Sequence, residues 1–139
     1  MADMEPSGEL IDGWRRQALS DLRNARRNAE MGAHDVCVLL CQQAAEKMLK
    51  AAYMTVKGEE APFTHNLAAL LRALGAALPL LEDSTALTTD YIMSRYPPLP
   101  GQIPAEAYAA PESADRLARA ERIVRWAEEV AADASGEPA

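Results

Sequence analysis

The stretch that decides the fold is residues 36–56, which read VCVLLCQQAAEKMLKAAYMTV. Projected on a helix at about 100° per residue, this stretch is apolar nearly all round. Its polar side chains gather on one narrow strip, formed by Gln42, Gln43, Glu46, Lys50 and Lys57, with Lys47 at the edge. A helix this apolar belongs at the centre of a bundle, so its single polar strip must face either water or a polar cleft.

Working outward, the periodicity predicts four further helices, for a total of five at about residues 12–31, 36–56, 65–74, 84–96 and 111–133. The predicted N-caps are Asp12, Asp35 and Thr64, and the predicted stops are Gly32, Gly58, Pro79 and Pro97. We therefore expect an all-α protein, an antiparallel up-and-down bundle of four to five helices. The bundle should occupy residues 11–133, between a flexible leader (1–10) and a flexible tail (134–139).

Charge and composition exclude several classes of protein. The formal charge of −7 argues against a general nucleic-acid binder, and we expect no binding to DNA. No run of residues approaches the ~18 apolar residues of a membrane span, and the polar, acidic N-terminus is unlike a secretory signal. Cys37 and Cys41 lie four residues apart on one helix, a spacing typical of buried, reduced thiols in a cytoplasmic protein. With two Cys and two His, we expect neither a metal site nor a cofactor.

Two features of the C-terminal third point toward partners. Residues 97–111, PPLPGQIPAEAYAAP, hold five prolines in fifteen positions, and long ordered loops often carry function. On the last helix, Trp126 lies on the far side from the core residue Leu117, which favours a second interface over a tryptophan lying across its own helix. The arginines at positions 116, 119, 122 and 125 alternate with acidic residues and predict a charged, solvated surface.

Three short motifs carry a resemblance to a known family. Residues 42–51, QQAAEKMLKA, resemble the central-helix pattern of HEPN domains, and THNL at 64–67, followed by Leu70 and Leu71, resembles the opening of that family's next helix. SRYP at 94–97 resembles the close of the following one. The motifs occur in the family's order, and the resemblance covers about residues 12–132.

The resemblance implies more than a fold. HEPN domains commonly form homodimers, and many are encoded beside a minimal nucleotidyltransferase in toxin–antitoxin-like modules. Some are metal-independent ribonucleases that use an Arg followed after four to six residues by a His, whereas others have lost that motif and bind nucleotides or partners.

The nuclease motif is missing where the family places it. Residues 96–104, which follow Arg95, read YPPLPGQIP and contain no His to move a proton. One pair, Arg27 and His34, matches the spacing, but it straddles a predicted turn outside that region, where a solvent-facing His is the simpler interpretation.

The candidate site residues are those that the motifs bring forward. Arg95 could grip a phosphate, with Tyr91 or Tyr96 as a stacking surface, or it could simply neutralise a helix C-terminus. His65 could make a polar contact near a cleft, or bond to backbone in a capping region. The strip of Gln43, Glu46 and Lys50 could form a groove for nucleotide or RNA, or a solvated or dimer-facing surface.

The resemblance, together with the missing His after Arg95, implies a dimeric partner subunit of a nucleotidyltransferase module that binds nucleotide or RNA and is not a self-sufficient enzyme. The first alternative is a ribonuclease toxin with Arg95 as a catalytic residue and His34 or His65 supplied from elsewhere in a dimer. The second is a structural dimerisation or nucleotide-sensing module without chemistry.

Overall fold

The computed structural model describes residues 5–136, and within that range the chain forms six helices and no strand. The helices are α1 (Gly8–Glu30), α2 (His34–Lys57), α3 (Leu67–Ala73), α4 (Leu78–Met93), α5 (Pro104–Ala107) and α6 (Ala110–Ser135). Because α5 is a single turn, the bundle consists of five full helices. The predicted all-α bundle is confirmed.

Helix α2 lies at the centre of the bundle. It contacts each of the other five described helices, and α1 and α6 pack most extensively against it. The core is built from small and aliphatic side chains, so the helices approach closely around α2. The largest fully buried aliphatic side chains of the core are Met48, Leu49, Leu67, Leu70, Leu71, Leu87 and Ile123. The nearly continuous apolar surface of residues 36–56 therefore identified the central helix correctly.

The first helix begins earlier than predicted. It starts at Gly8 because the Ser7 hydroxyl accepts a hydrogen bond from the Leu10 N–H, at 3.1 Å, whereas Asp12 lies inside the helix and pairs with Arg16. Helix α1 thus extends into the predicted leader, whose residues 1–4 lie outside the described range. At the other end, α6 runs to Ser135, into the predicted tail, and residues 137–139 are outside the description.

The start of α2 also differs from prediction, whereas its end does not. The helix begins at His34, so Asp35 lies in its first turn, where a negative charge favours the helix dipole, and does not cap it. At the other end, Gly58 adopts the left-handed conformation, with φ of 66°, and its N–H bonds to the Met54 carbonyl. That conformation favours glycine, which is why this stop could be predicted from sequence.

Helices α3 and α4 correct three further expectations. Asn66, and not Thr64, caps α3, while the Thr64 hydroxyl accepts from the Asn66 N–H at 3.0 Å, so His65 lies just before the helix. Pro79 does lie beyond the end of α3, but it also sits in the first turn of α4, which therefore begins at Leu78 and not at Ser84. Helix α4 ends at Met93, short of Tyr96. Pro97 disfavours helical backbone at Tyr96, the residue that precedes it.

Trp126 is half-buried and packs against the core cluster of the bundle. This packing within one chain accounts for part of its burial, and the second interface stays a prediction.

Candidate functional site

The polar strip of α2 is buried. Glu46 is 5% exposed and Lys50 is 7% exposed, and the Lys50 ammonium lies 3.3 Å from Glu46 Oε2 and 5.7 Å from the centroid of the Trp14 ring. Buried charges persist only when they are paired and hydrogen-bonded, as these are. The interpretation as a solvated strip is therefore wrong for Glu46 and Lys50, whose side chains are buried.

Glu46 anchors His65. Its Oε1 atom lies 2.8 Å from His65 Nδ1 and accepts a hydrogen bond from Gln42 Nε2 at 3.0 Å. Gln43 in turn donates to Gln42, at 2.6 Å, so its link to Glu46 is indirect. Among the described residues the side chain of His65 contacts a carboxylate and not the backbone, so the interpretation as a capping residue bonded to backbone is wrong.

Next to His65, an aromatic and cationic cluster continues onto α4. The rings of His65 and Tyr91 are stacked, with centroids 4.5 Å apart and planes inclined by 22°. Arg95 Cζ lies 4.2 Å from the Tyr91 centroid and 5.0 Å from the Tyr96 centroid, and its Nη2 donates to the Tyr96 hydroxyl at 3.1 Å. Such cation–π contacts hold the guanidinium without neutralising it.

We call the set of Glu46, Lys50, His65, Tyr91, Arg95 and Tyr96 the Arg95 site. The sequence named all six as candidates, and the structure joins them by direct contacts across α2, α4 and the turn before α3. Gln43, the seventh candidate, reaches the site only through Gln42, which the sequence analysis placed on the polar strip but did not list as a site residue. The catalytic role of Arg95 stays a prediction.

Arg95 has a different charge environment from the arginines of α6 that face α4. Within residues 5–136, no carboxylate lies at ion-pair distance from Arg95, whereas Arg116, Arg119 and Arg122 each contact at least one aspartate. Its one described hydrogen bond uses one of the five N–H donors of a guanidinium. The exposed side chain therefore keeps both its charge and most of its donors available to a ligand.

The pair with nuclease-like spacing does not assemble. Arg27 bonds to Asn24 in its own helix, at 3.3 Å, and His34 Nδ1 lies 2.7 Å from the Ser113 hydroxyl on α6. His34 is half-buried, so it is not a solvent-facing turn residue either. The interpretation of His34 as a solvent-facing turn residue is therefore wrong, because His34 opens α2 and packs toward α6, and a catalytic role for the pair stays a prediction.

The arginines of α6 are a correction to the predicted solvated surface. Arg116 Nε donates to Asp90 at 2.7 Å, and Arg119 and Arg122 both bond to Asp83, so three of the four face α4. Asp90 is 2% exposed and also accepts from the Tyr108 hydroxyl, at 3.0 Å. Burial raises the pKa of Asp90 despite these donors. This network fastens α6 and the proline-rich segment (residues 97–111) to α4.

A cavity of about 540 Å³ lies beneath the proline-rich segment. Met93, Pro98 and Ile103 form apolar parts of its wall, and Asp90 and Arg116 supply polar groups. Arg95 does not line it, so the cavity and the Arg95 site are separate features.

The remaining observations concern thiols, metals and membranes. Cys37 and Cys41 are free and fully buried, which confirms the prediction of reduced, buried thiols. In residues 5–136, no three His, Cys, Asp or Glu side chains are grouped so that they could hold a metal ion. The described helices include none with the length and apolar character needed to span a bilayer.

Comparison with known proteins agrees with the motifs. A family model described as the HEPN domain matches residues 11–130. A crystal structure from Thermus thermophilus has a TM-score of 0.80 and 28% identity, covering 86% of this chain and 97% of that one. An archaeal HEPN homologue has a TM-score of 0.74, 28% identity and coverages of 86% and 95%.

A HEPN domain protein from Thermotoga maritima, at 23% identity, shares the fold with a TM-score of 0.67, over 84% of this chain and 95% of that one. No curated protein matches the chain. The resemblance drawn from residues 42–51, 64–67 and 94–97 is confirmed.

Proposed function

Because the chain belongs to the HEPN family, we propose that it is a binding subunit and not a self-sufficient enzyme. It holds a nucleotide or an RNA segment at the Arg95 site, forms a homodimer, and acts beside a separately encoded minimal nucleotidyltransferase. The observation that carries the binding proposal is the exposed, unneutralised guanidinium of Arg95 between the rings of Tyr91 and Tyr96.

The chemistry of the Arg95 site fits a nucleotide. A guanidinium with free N–H donors binds phosphate oxygens in pairs, and exposed aromatic rings stack on bases. Tyr96 is 57% exposed and lies against Arg95, so one ligand can contact both. The overall charge of −7 disfavours long-range attraction of nucleic acid, which favours a short or small ligand held at one position.

Binding is tested by titrating ATP, AMP and a short RNA into the protein in a calorimeter, together with melting curves. A ligand that prefers the folded state raises the melting temperature. Replacing Arg95 by Ala should weaken binding about 10- to 100-fold, since charge-assisted hydrogen bonds contribute about 1.5–3 kcal/mol. Arg23→Ala is the matched control, because Arg23 is an exposed arginine on α1. Equal losses in the two variants would remove Arg95 from the binding site.

The homodimer proposal is supported by exposed apolar side chains at the end of α4 and in the segment that follows. They are Ile92, Met93, Leu99 and Ile103, which are 40–60% exposed. Clustered apolar surface of this kind marks interaction sites. Light scattering during gel filtration tests it: a monomer at micromolar concentration contradicts the proposal, and Leu99→Asp should weaken a dimer.

The partner proposal rests on the family alone. Purifying a tagged copy of the chain from its native host should recover a small nucleotidyltransferase, identified by mass spectrometry. If none copurifies and none is encoded in the adjacent reading frame, the pairing is wrong, whatever the outcome for nucleotide binding.

A ribonuclease is the second candidate, and one contact favours it. His65 and Arg95 both contact the ring of Tyr91, so a single chain brings a potential base and a cation to the same aromatic ring. Incubation with total RNA in a chelator separates the candidates. Cleavage that disappears in both Arg95→Ala and His65→Ala would establish the nuclease, and no cleavage by the intact protein supports the binding subunit.

A further inference from the structure

The cavity beneath the proline-rich segment has the size and the apolar wall of a small-molecule site. It holds about 540 Å³ and lies between α4, the proline-rich segment and α6. Pockets that bind small molecules measure about 300–1,000 Å³ and combine an apolar wall with a few polar groups. Met93 and Ile103, in the wall, are 40% and 45% exposed, so a ligand can still cover apolar surface there.

The charged groups of this cavity are mostly acidic. Of the residues that line it, Asp90, Glu106 and Glu112 carry negative charge and Arg116 carries positive charge. The guanidinium of Arg116 is already paired, because its Nε donates to Asp90 and its Nη1 donates to Asp115. Within residues 5–136, no Lys, Arg or His lies at ion-pair distance from Glu106 or Glu112. The cavity therefore keeps two carboxylates without a cation.

The surroundings of the Tyr108 hydroxyl, which belongs to the same cavity, agree with this balance of charge. Burial raises the pKa of Tyr108, the negative charges of Asp90 and Asp35 raise it further, and the charge of Arg116 opposes them. Burial opposes a charge of either sign, whereas the two aspartates oppose only a negative one. The electrostatic potential in the cavity therefore suits a cation better than an anion.

We infer that this cavity is a binding site for a small organic cation, an amine with an apolar body. Its ammonium pairs with the carboxylates of Glu106 and Glu112, and its apolar part covers the wall that includes Met93 and Ile103. A hydrated metal ion would gain nothing from that wall, so the wall favours an organic cation. The cavity is separate from the Arg95 site, whose free guanidinium suits an anion, so the inference does not rest on the proposed function.

The test uses three probes of similar size and different charge: phenethylamine, 2-phenylethanol and 3-phenylpropionate. Each is titrated into the ¹⁵N-labelled full chain, and binding is followed by the NMR shifts of the backbone amides. Phenethylamine should move the amides of Gln102, Ile103 and Tyr108, which line the cavity. It should bind about five- to twentyfold more tightly than the alcohol, since a pair of opposite charges about 4 Å apart in water already corresponds to about fivefold. The carboxylate should bind most weakly.

Three results overturn the inference. They are equal affinities for the three probes, shifts confined to residues outside the cavity, and no binding of phenethylamine at millimolar concentration.

The role of the two carboxylates is tested with the double variant Glu106→Gln, Glu112→Gln. Glutamine at position 112 keeps an oxygen that can accept from the Ala109 N–H, at 2.8 Å in the intact protein, so α6 should begin as before, which circular dichroism checks. The affinity for phenethylamine should fall to that for the alcohol. The matched control is Glu9→Gln, Glu60→Gln, at two exposed acids that do not line the cavity, and it should bind phenethylamine like the intact protein.

The glutamates were chosen because Met93 and Ile103 also belong to the proposed dimer surface, whereas Glu106 and Glu112 do not. Light scattering should therefore give the same oligomeric state for the intact protein and both variants. Unchanged binding of phenethylamine by the Glu106, Glu112 variant, or an equal loss in the control, overturns the inference. Neither result bears on nucleotide binding at Arg95.

Discussion

Replacing Asp90 by Ala should destabilise the bundle by about 3 kcal/mol. The change removes two hydrogen bonds to a carboxylate, one from Arg116 at 2.7 Å and one from the Tyr108 hydroxyl at 3.0 Å. Hydrogen bonds to charged groups contribute about 1.5–3 kcal/mol each. The loss stays near the lower end of the range for broken buried pairs, about 3–5 kcal/mol, because Arg116 keeps its contact with Asp115 and is 21% exposed.

The assay is urea denaturation at neutral pH, followed by tryptophan fluorescence and helical circular dichroism. A loss of this size lowers the melting temperature of a chain of this length by about 10 °C. Tyr108→Phe, which deletes one hydroxyl, should lower the free energy of unfolding by about 1.5 kcal/mol, near the lower end of the range for a bond to a carboxylate. Asp12→Ala is the surface control, since its pair with Arg16 is exposed and should contribute less than about 0.5 kcal/mol. If Asp90→Ala unfolds like the surface control, the contacts between α4 and α6 do not stabilise the fold.

Two further predictions follow from burial. Burial raises the pKa of Asp90 above its ordinary 3.8, so the stability gained by protonating it is complete below that pH and is lost as the pH rises through the raised value. The urea midpoint of Asp90→Asn should therefore rise relative to that of the intact protein as the pH is raised from about 4. A difference between the two midpoints that does not vary with pH would contradict this. Cys37 and Cys41 are both 0% exposed, so a thiol-reactive dye should label the native protein only as fast as it unfolds. Immediate labelling in native buffer would show that the core opens without unfolding.

The central helix was predictable because its own residues decide it. The apolar surface of residues 36–56 is a local property, and no other placement buries it. The stop at Gly58 is local too, since the left-handed backbone there favours glycine. Helix starts were predicted less well, because several capping residues compete: Ser7 is chosen over Asp12, and Asn66 over Thr64.

Five of the six residues of the Arg95 site lie in the three motifs, and Tyr91 was added as a neighbour of Arg95, but the arrangement of the six was not predictable. Glu46 and His65 are distant in sequence, and so are His65 and Tyr91, so only the packed bundle brings their side chains together. The same reason hid the pairing of Asp83 with Arg119 and Arg122, whose spacing on α6 is typical of a solvated surface. Charge patterns along one helix reveal nothing about the acids that a second helix presents to them.

Arg95 has little freedom left to lose when a ligand arrives. An exposed arginine normally samples many rotamers, and holding it in one of them opposes association. Here the guanidinium already rests against two rings and donates to a phenol, and Pro97 restricts the backbone just beyond Tyr96. The phosphate of the proposed ligand would therefore meet donors that are oriented in advance, and less of the binding free energy would go into ordering the arginine.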